Sequence, residues 1–276
     1  MADAPTYFNA ETSFITFGNR VQGFLAKPTQ GKPPFPAVIL YHERYGLVQH
    51  TLDLAGKFAL YGYVCLSPDL FSRWEGDKEA LNRGDIQVPI SDEDISSYGN
   101  DCLDYLKQSS EVDSDRIAVM GVCQSGDYPL VLNSQRHDFA ANIVVYGGAQ
   151  KAVWEVSETR REPYENILQR VTAPILGIWG EDDFVVSVDD MLRLRGALEK
   201  YRKTYEFTLF RDMPHGWFNS TMPGRYRPRQ TDQAWNIIMD FLERVHAKAF
   251  DPNRVVWRFE SNIAPDYDFT KKVRLA

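Results

Sequence analysis

Basic charge is the first thing this chain is short of. Its 31 lysines and arginines are outnumbered by 38 aspartates and glutamates, leaving a net charge of −7. The electrostatic footprint of a nucleic-acid binder is missing, and no nucleic-acid partner is expected. Cysteine is scarce too: Cys65, Cys102 and Cys123 are the only three in 276 residues. An odd, sparse set does not build a disulfide scaffold. It fits a reducing, cytoplasmic setting in which a thiol can be kept for chemistry. No apolar run approaches the roughly 18 residues of a membrane-spanning helix, so no membrane partner is expected. The stretch MADAPTYFNAETSF has neither the basic nor the apolar segment of a secretory signal. The five histidines are scattered, and no HxxxH, CxxC, GxGxxG or P-loop spacing occurs. Neither a metal nor a cofactor is expected.

What is present is a regular alternation of short apolar runs and longer amphipathic stretches. Residues 12–26 read as two strands around a Gly18-Asn19 turn. AVILY (37–41), the short run at 64–66, IAVM (117–120), 142–146, ILGIW (175–179) and 205–210 read as strands. Runs apolar at every position suit parallel strands buried on both faces. Residues 50–62, 92–108, 125–135, 187–202 and 231–248 read as helices. Such alternation predicts an α/β fold, a mostly parallel central sheet with helices on both faces. One domain over 1–249 is expected, followed by an aromatic-rich tail over 250–276. That tail carries Trp257, Phe259, Tyr267 and Phe269, and is expected to pack on the domain or on a partner subunit. A homodimer is accordingly one expectation. The connection over 68–91, with Arg73, Trp74 and Arg83, is long and poorly periodic, as binding loops often are.

Ligands of parallel α/β sheets sit at the carboxyl ends of strands, so reactive residues just after strands matter most. IAVM runs into Gly121-Val122-Cys123-Gln124-Ser125-Gly126, and a helix follows. A strand, a sharp turn framed by small residues and a helix make a nucleophile elbow. With Gly121 and Ser125 as the small pair, the nucleophile slot falls on Cys123, and the Gln124 N–H faces an oxyanion. Ser125 is the alternative nucleophile, although its frame ends in Asp127, which is not small. A thiol at a helix N-terminus is expected to have a lowered pKa. A cysteine after a strand is also commonly an inert core residue.

ILGIW ends in Gly180-Glu181-Asp182-Asp183, and the strand at 205–210 leads to Met213-Pro214-His215-Gly216. A carboxylate and a histidine after successive strands suit an orienting acid and a general base. Alone, each is more often a turn former or a surface residue. Together they give the chain order nucleophile, acid, base, with Glu181, Asp182 and Asp183 all open as the acid.

These motifs resemble the dienelactone hydrolase family of α/β-hydrolases over about residues 14–246. The resemblance includes the paired N-terminal strands, the Gly-x-Cys elbow, the acidic segment before Phe184-Val185 and the His-Gly loop. Aligned on Phe184-Val185, it implies Asp182 as the acid, completing a Cys123–His215–Asp182 triad. It also implies an active-site role for Glu43, within Tyr41-His42-Glu43-Arg44-Tyr45-Gly46, and a second oxyanion donor in the Arg44 N–H. Without the resemblance, Glu43 reads as an exposed strand-end carboxylate. The sequence departs from the family where substrate carboxylates are held. The position four residues beyond the histidine, an arginine in dienelactone hydrolases, is Asn219, and neither Arg73 nor Arg83 matches the other arginine.

The expected activity is cleavage of a small ester or lactone, carboxylate-bearing substrates included, through a cysteine acyl-enzyme. A general carboxylesterase for xenobiotic or sugar esters and a non-catalytic ligand-binding protein are the alternatives. Tyr45, Arg73, Trp74, Trp217, Asn219 and Arg225 are the candidate substrate contacts. Arg225, Arg227 and Arg229 form either an anion-binding face or merely a solvated basic loop.

Overall fold

The computed structural model describes residues 7, 9–251 and 253–261. Among them, nine strands form one sheet in the order β1-β2-β4-β3-β5-β6-β7-β8-β9. The strands are β1 (Ala10–Phe17), β2 (Val21–Pro28), β3 (Phe35–Tyr41), β4 (Val64–Pro68), β5 (Val112–Val122), β6 (Ala141–Val145), β7 (Ile175–Asp182), β8 (Tyr205–Pro214) and β9 (Trp257–Ser261). β1 and β2 pair antiparallel with each other, as do β2 and β4, and every other pairing is parallel. The helices are α1 (Gln49–Leu60), α2 (Lys78–Arg83), α3 (Asp92–Gln108), α4 (Tyr128–Gln135), α5 (Tyr164–Arg170), α6 (Val188–Lys200) and α7 (Pro228–His246).

The pleat explains why the central strands are apolar throughout. Successive side chains leave a strand on opposite faces. Ile39, Val119 and Val144 enter one core with Ile95 and Leu103 of α3, Leu132 of α4 and Leu194 of α6. Val38, Leu40, Met120, Ile143 and Val145 enter the other, with Phe58 of α1 and Trp235, Ile238 and Phe241 of α7. Each such fully buried side chain contributes about 1.5–3 kcal/mol. Local signals set the helix starts. The Ser91 hydroxyl accepts from the Asp94 N–H to cap α3, and Ser187 and Asp190 form a reciprocal capping box on α6.

Three elements were not foreseen. α2 and α5 are six and seven residues long, too short to show a period. β9 lies in the aromatic-rich tail, where no strand is expected. It pairs with β8 through Tyr205↔Trp257 to Leu209↔Ser261, and the Trp257 indole donates to the Lys203 carbonyl at 2.9 Å. Phe250 packs edge-on against Phe241 of α7. Tyr267 and Phe269 lie outside the described residues. No described helix is long and apolar enough to cross a membrane.

Candidate active site

β3, β5, β6, β7 and β8 all point the same way, so the residues that follow them meet at one end of the sheet. β5 delivers Cys123 in a 3-10 turn over Cys123–Ser125, five residues before α4 begins. Cys123 has a φ of 59°, a left-handed conformation that L-residues adopt at a cost. Its surroundings enforce that conformation. A Cβ on Gly121 would overlap the carbonyl of Ser125, and one on Gly147 would overlap that of Cys123. Ser125 is a brace and not a nucleophile. Its buried Oγ accepts from the Val122 N–H at 2.9 Å, and its hydroxyl is directed at the Tyr41 and Val122 carbonyls at 3.1 and 3.0 Å.

From Cys123 a line of polar contacts runs inward. Cys123 Sγ lies 3.0 Å from His215 Nε2. His215 Nδ1 lies 2.8 Å from Asp183 Oδ2 and 3.1 Å from Oδ1. Asp183 Oδ1 also accepts from the Val185 and Val186 N–H groups at 2.7 and 2.9 Å. A carboxylate already accepting two backbone protons leaves Nδ1 as the donor to it. Nε2 is then the basic nitrogen, facing the thiol. Asp183 and His215 are buried, and the Tyr146 and Phe184 rings pack edge-on against the imidazole.

The acid beside His215 is therefore Asp183, and the expectation of Asp182 is corrected. Asp182 ends β7, registers with Pro214 and is exposed. The next residue, past the end of the strand, faces the other way, toward the histidine, as successive side chains of an extended chain do. Glu181 is engaged elsewhere, accepting from the Asp212 N–H.

Glu43 follows β3 and is 2% exposed, so it is no surface carboxylate. Its Oε1 accepts from the Tyr146 hydroxyl at 2.9 Å and its Oε2 from Asn219 Nδ2 at 2.5 Å. Asn219 Oδ1 in turn accepts from the Thr221 N–H and hydroxyl. The negative charge is held by neutral donors near the sulfur, with no hydrogen bond between Glu43 and Cys123 among the described residues. Cys123 is half-buried, and burial raises its thiol pKa, with the Glu43 and Asp183 charges adding to the rise. The Gln124 N–H, bonded to the sulfur, opposes this but does not prevail. The lowered pKa expected from the helix start is thus overturned by desolvation and two nearby carboxylates. Cys65 and Cys102 are fully buried free thiols, raised chiefly by burial.

The candidate substrate contacts separate. Tyr45 is half-buried near Cys123, Glu43 and Arg225, whose charges all act on its phenol. The Arg225 guanidinium lies 5.3 Å from the centre of the Phe184 ring, which itself covers His215, and forms no ion pair among the described residues. The other four make contacts within the protein. Arg73 is held by Asp101 and Ser97 of α3 and stacks on Tyr98. Trp74 packs on Phe71, and Trp217 is a core residue with no exposed surface, lodged between Phe210 and Tyr146. Asn219 is 1% exposed and donates from Nδ2 to Glu43, which makes it a partner of that carboxylate. Arg44 and Gln124 send their side chains into the long connection, Arg44 to the Gly84 and Ile86 carbonyls and Gln124 to that of Val88. Tyr146 was missed. Its signal was its place, the residue directly after β6, where it looked like the end of an apolar run.

Residues 21–246 match the profile of the dienelactone hydrolase family. The chain belongs to the dienelactone hydrolase family. A relative from Methylorubrum extorquens, provisionally named a carboxymethylenebutenolidase, is 22% identical over 81% of this chain and 77% of its own length. A Bradyrhizobium protein provisionally named a 2-oxo-3-(5-oxofuran-2-ylidene)propanoate lactonase is 27% identical over 82% of this chain and 90% of its own. A crystal structure provisionally described as a dienelactone hydrolase from Klebsiella pneumoniae superposes with a TM-score of 0.75. It covers 85% of this chain and 98% of its own at 21% identity, a likeness of fold. The chain is a hydrolase of this family, and its mostly parallel sheet is the α/β-hydrolase fold.

Proposed function

We propose that this hydrolase cleaves a small ester or lactone through a thioester on Cys123, with His215 as base and Asp183 as orienting acid. The observation that carries the reading is the contact line from sulfur to imidazole to carboxylate, 3.0 and 2.8 Å long. A ligand-binding protein without catalysis has no need of a strained thiol aimed at a basic nitrogen.

The raised thiol pKa makes the resting state a neutral thiol, so the sulfur must lose its proton as it attacks. His215 Nε2 takes that proton while the sulfur bonds to the carbonyl carbon, and Asp183 stabilises the imidazolium. The Gln124 N–H lies at the sulfur, and the Arg44 N–H has no acceptor among the described residues. These two N–H groups receive the oxyanion, each donor being worth about 3–4 kcal/mol in comparable sites. When the C–O bond breaks, the leaving oxygen takes the proton from Nε2. Water, deprotonated by His215, then attacks the thioester. The acid departs, and the proton returns to the sulfur.

Arg225 supports a carboxylate-bearing substrate. Its cation sits on the aromatic ring beside the base and has no ion-pair partner among the described residues. The experiment is acid-quenched intact-mass analysis after mixing with p-nitrophenyl acetate. One acetyl group on the Cys123 peptide, absent from Cys123→Ala, is expected. Label confined to other residues, or none, would sink the reading.

A further inference from the structure

His42, the residue between β3 and Glu43, is buried and has both ring nitrogens engaged. Nε2 accepts from the Leu70 N–H at 3.0 Å, so it carries no proton. The ring proton is then on Nδ1, which donates to the Glu43 carbonyl at 2.6 Å. The Phe71 ring lies against the imidazole at 5.2 Å and fixes its plane. Asp69 Oδ1, at 4.0 Å from Nε2, is the carboxylate nearest the ring.

The Glu43 carbonyl belongs to the same planar trans peptide as the Arg44 N–H, and the two point in opposite directions. Whatever holds the carbonyl sets the direction of the N–H. Besides His42, among the described residues this carbonyl receives only a long bond of 3.3 Å from the Gly46 N–H. The Glu43 side chain, pinned by Tyr146 and Asn219, fixes the residue but not the rotation of the peptide that follows it.

We infer that His42 is a positioning residue for the oxyanion site, holding the Glu43–Arg44 peptide so that the Arg44 N–H faces the carbonyl oxygen under attack at Cys123. The inference rests on the oxyanion role proposed above for that N–H. Burial lowers the His42 pKa, which keeps the ring in the neutral form that both bonds require.

Two reactions of the same sulfur test it. Iodoacetamide alkylates Cys123 by displacing iodide at a saturated carbon, the thiol proton passing to His215, and no oxyanion forms. Acylation by p-nitrophenyl acetate passes through one. In His42→Leu, alkylation is expected to stay within about twofold of the unaltered protein, while acylation falls roughly 10- to 100-fold, short of the roughly 10²- to 10³-fold that loss of a whole oxyanion donor costs. His42→Asn places an N–H where Nδ1 stood, and is expected to restore acylation to within about fivefold. His42→Met serves as the apolar variant if His42→Leu does not fold.

Equal losses in both reactions would overturn the inference, because the damage would then be to the thiol or the fold. Unchanged acylation in the apolar variant, or no recovery in His42→Asn, would overturn it as well. If the unaltered protein alkylates but is not acylated by any ester, the ester reading itself falls, and this inference with it.

Discussion

Two buried carboxylates flank one sulfur; both charges raise its thiol pKa, but they are held differently. Asp183 lies behind His215, with two backbone N–H groups on one oxygen and the imidazole across both. In the proposed mechanism its charge favours the imidazolium that forms when the thiol gives up its proton, although it also raises the resting thiol pKa. Glu43 has no imidazole between itself and the sulfur. Its two oxygens are held by Tyr146 and Asn219, and its charge raises the thiol pKa. Both charges raise the thiol pKa, and in the proposed mechanism only Asp183, behind the base, also favours the imidazolium formed as the proton leaves. A buried carboxylate therefore aids proton transfer only where a base stands between it and the nucleophile. The outcome is a raised thiol pKa.

The comparison can be broken most severely at the atom on which both carboxylates act. Cys123→Ala should lower ester hydrolysis on the order of 10⁴- to 10⁶-fold, measured as steady-state p-nitrophenolate release. A loss under about tenfold would mean that neither carboxylate bears on the reaction through this sulfur. Glu43→Gln sharpens the contrast, because it removes the charge and keeps the shape. A folded-state thiol pKa raised by that charge must fall when the charge is removed. The alkaline limb of the iodoacetamide rate then moves to lower pH, and the rate at pH 7 rises on the order of tenfold. An unmoved limb would show that Glu43 does not restrain the thiol. The smallest effect belongs to Arg225→Gln. KM for a carboxylate-bearing ester should rise about three- to fivefold, the worth of an exposed ion pair, with no change for a neutral ester. A rise shared by both esters would remove the anion from the account.

The large features of this molecule were legible because they follow from burial on two faces. AVILY, IAVM and ILGIW have no polar position to spare, and all lie in the parallel sheet. The elbow was legible because a strained turn tolerates few residues at Gly121 and Ser125. The acid was misplaced by one residue because three acidic side chains stand in a row there, and composition does not mark which of them faces the histidine. Trp217 and Asn219 were read as substrate contacts from their closeness in sequence to His215. The loop instead turns both into the interior, one to the Phe210 ring and the other to Glu43. Tyr146 carries no local signal of its own. Its partner, Glu43, is 103 residues away, and only the sheet order brings the two together. Hydrogen bonds that span such separations depend on topology, which a reading of neighbouring residues does not reach.

The central claim is that the proton of Cys123 leaves through His215 backed by Asp183. Measuring kcat for p-nitrophenyl acetate in Asp183→Asn beside Asp182→Asn tests it most directly. Replacing the buried acceptor by an amide favours the wrong imidazole tautomer. A fall of about 10³- to 10⁴-fold is expected for Asp183→Asn, and less than about threefold for Asp182→Asn. Equal activities, or the larger loss in Asp182→Asn, would contradict the account.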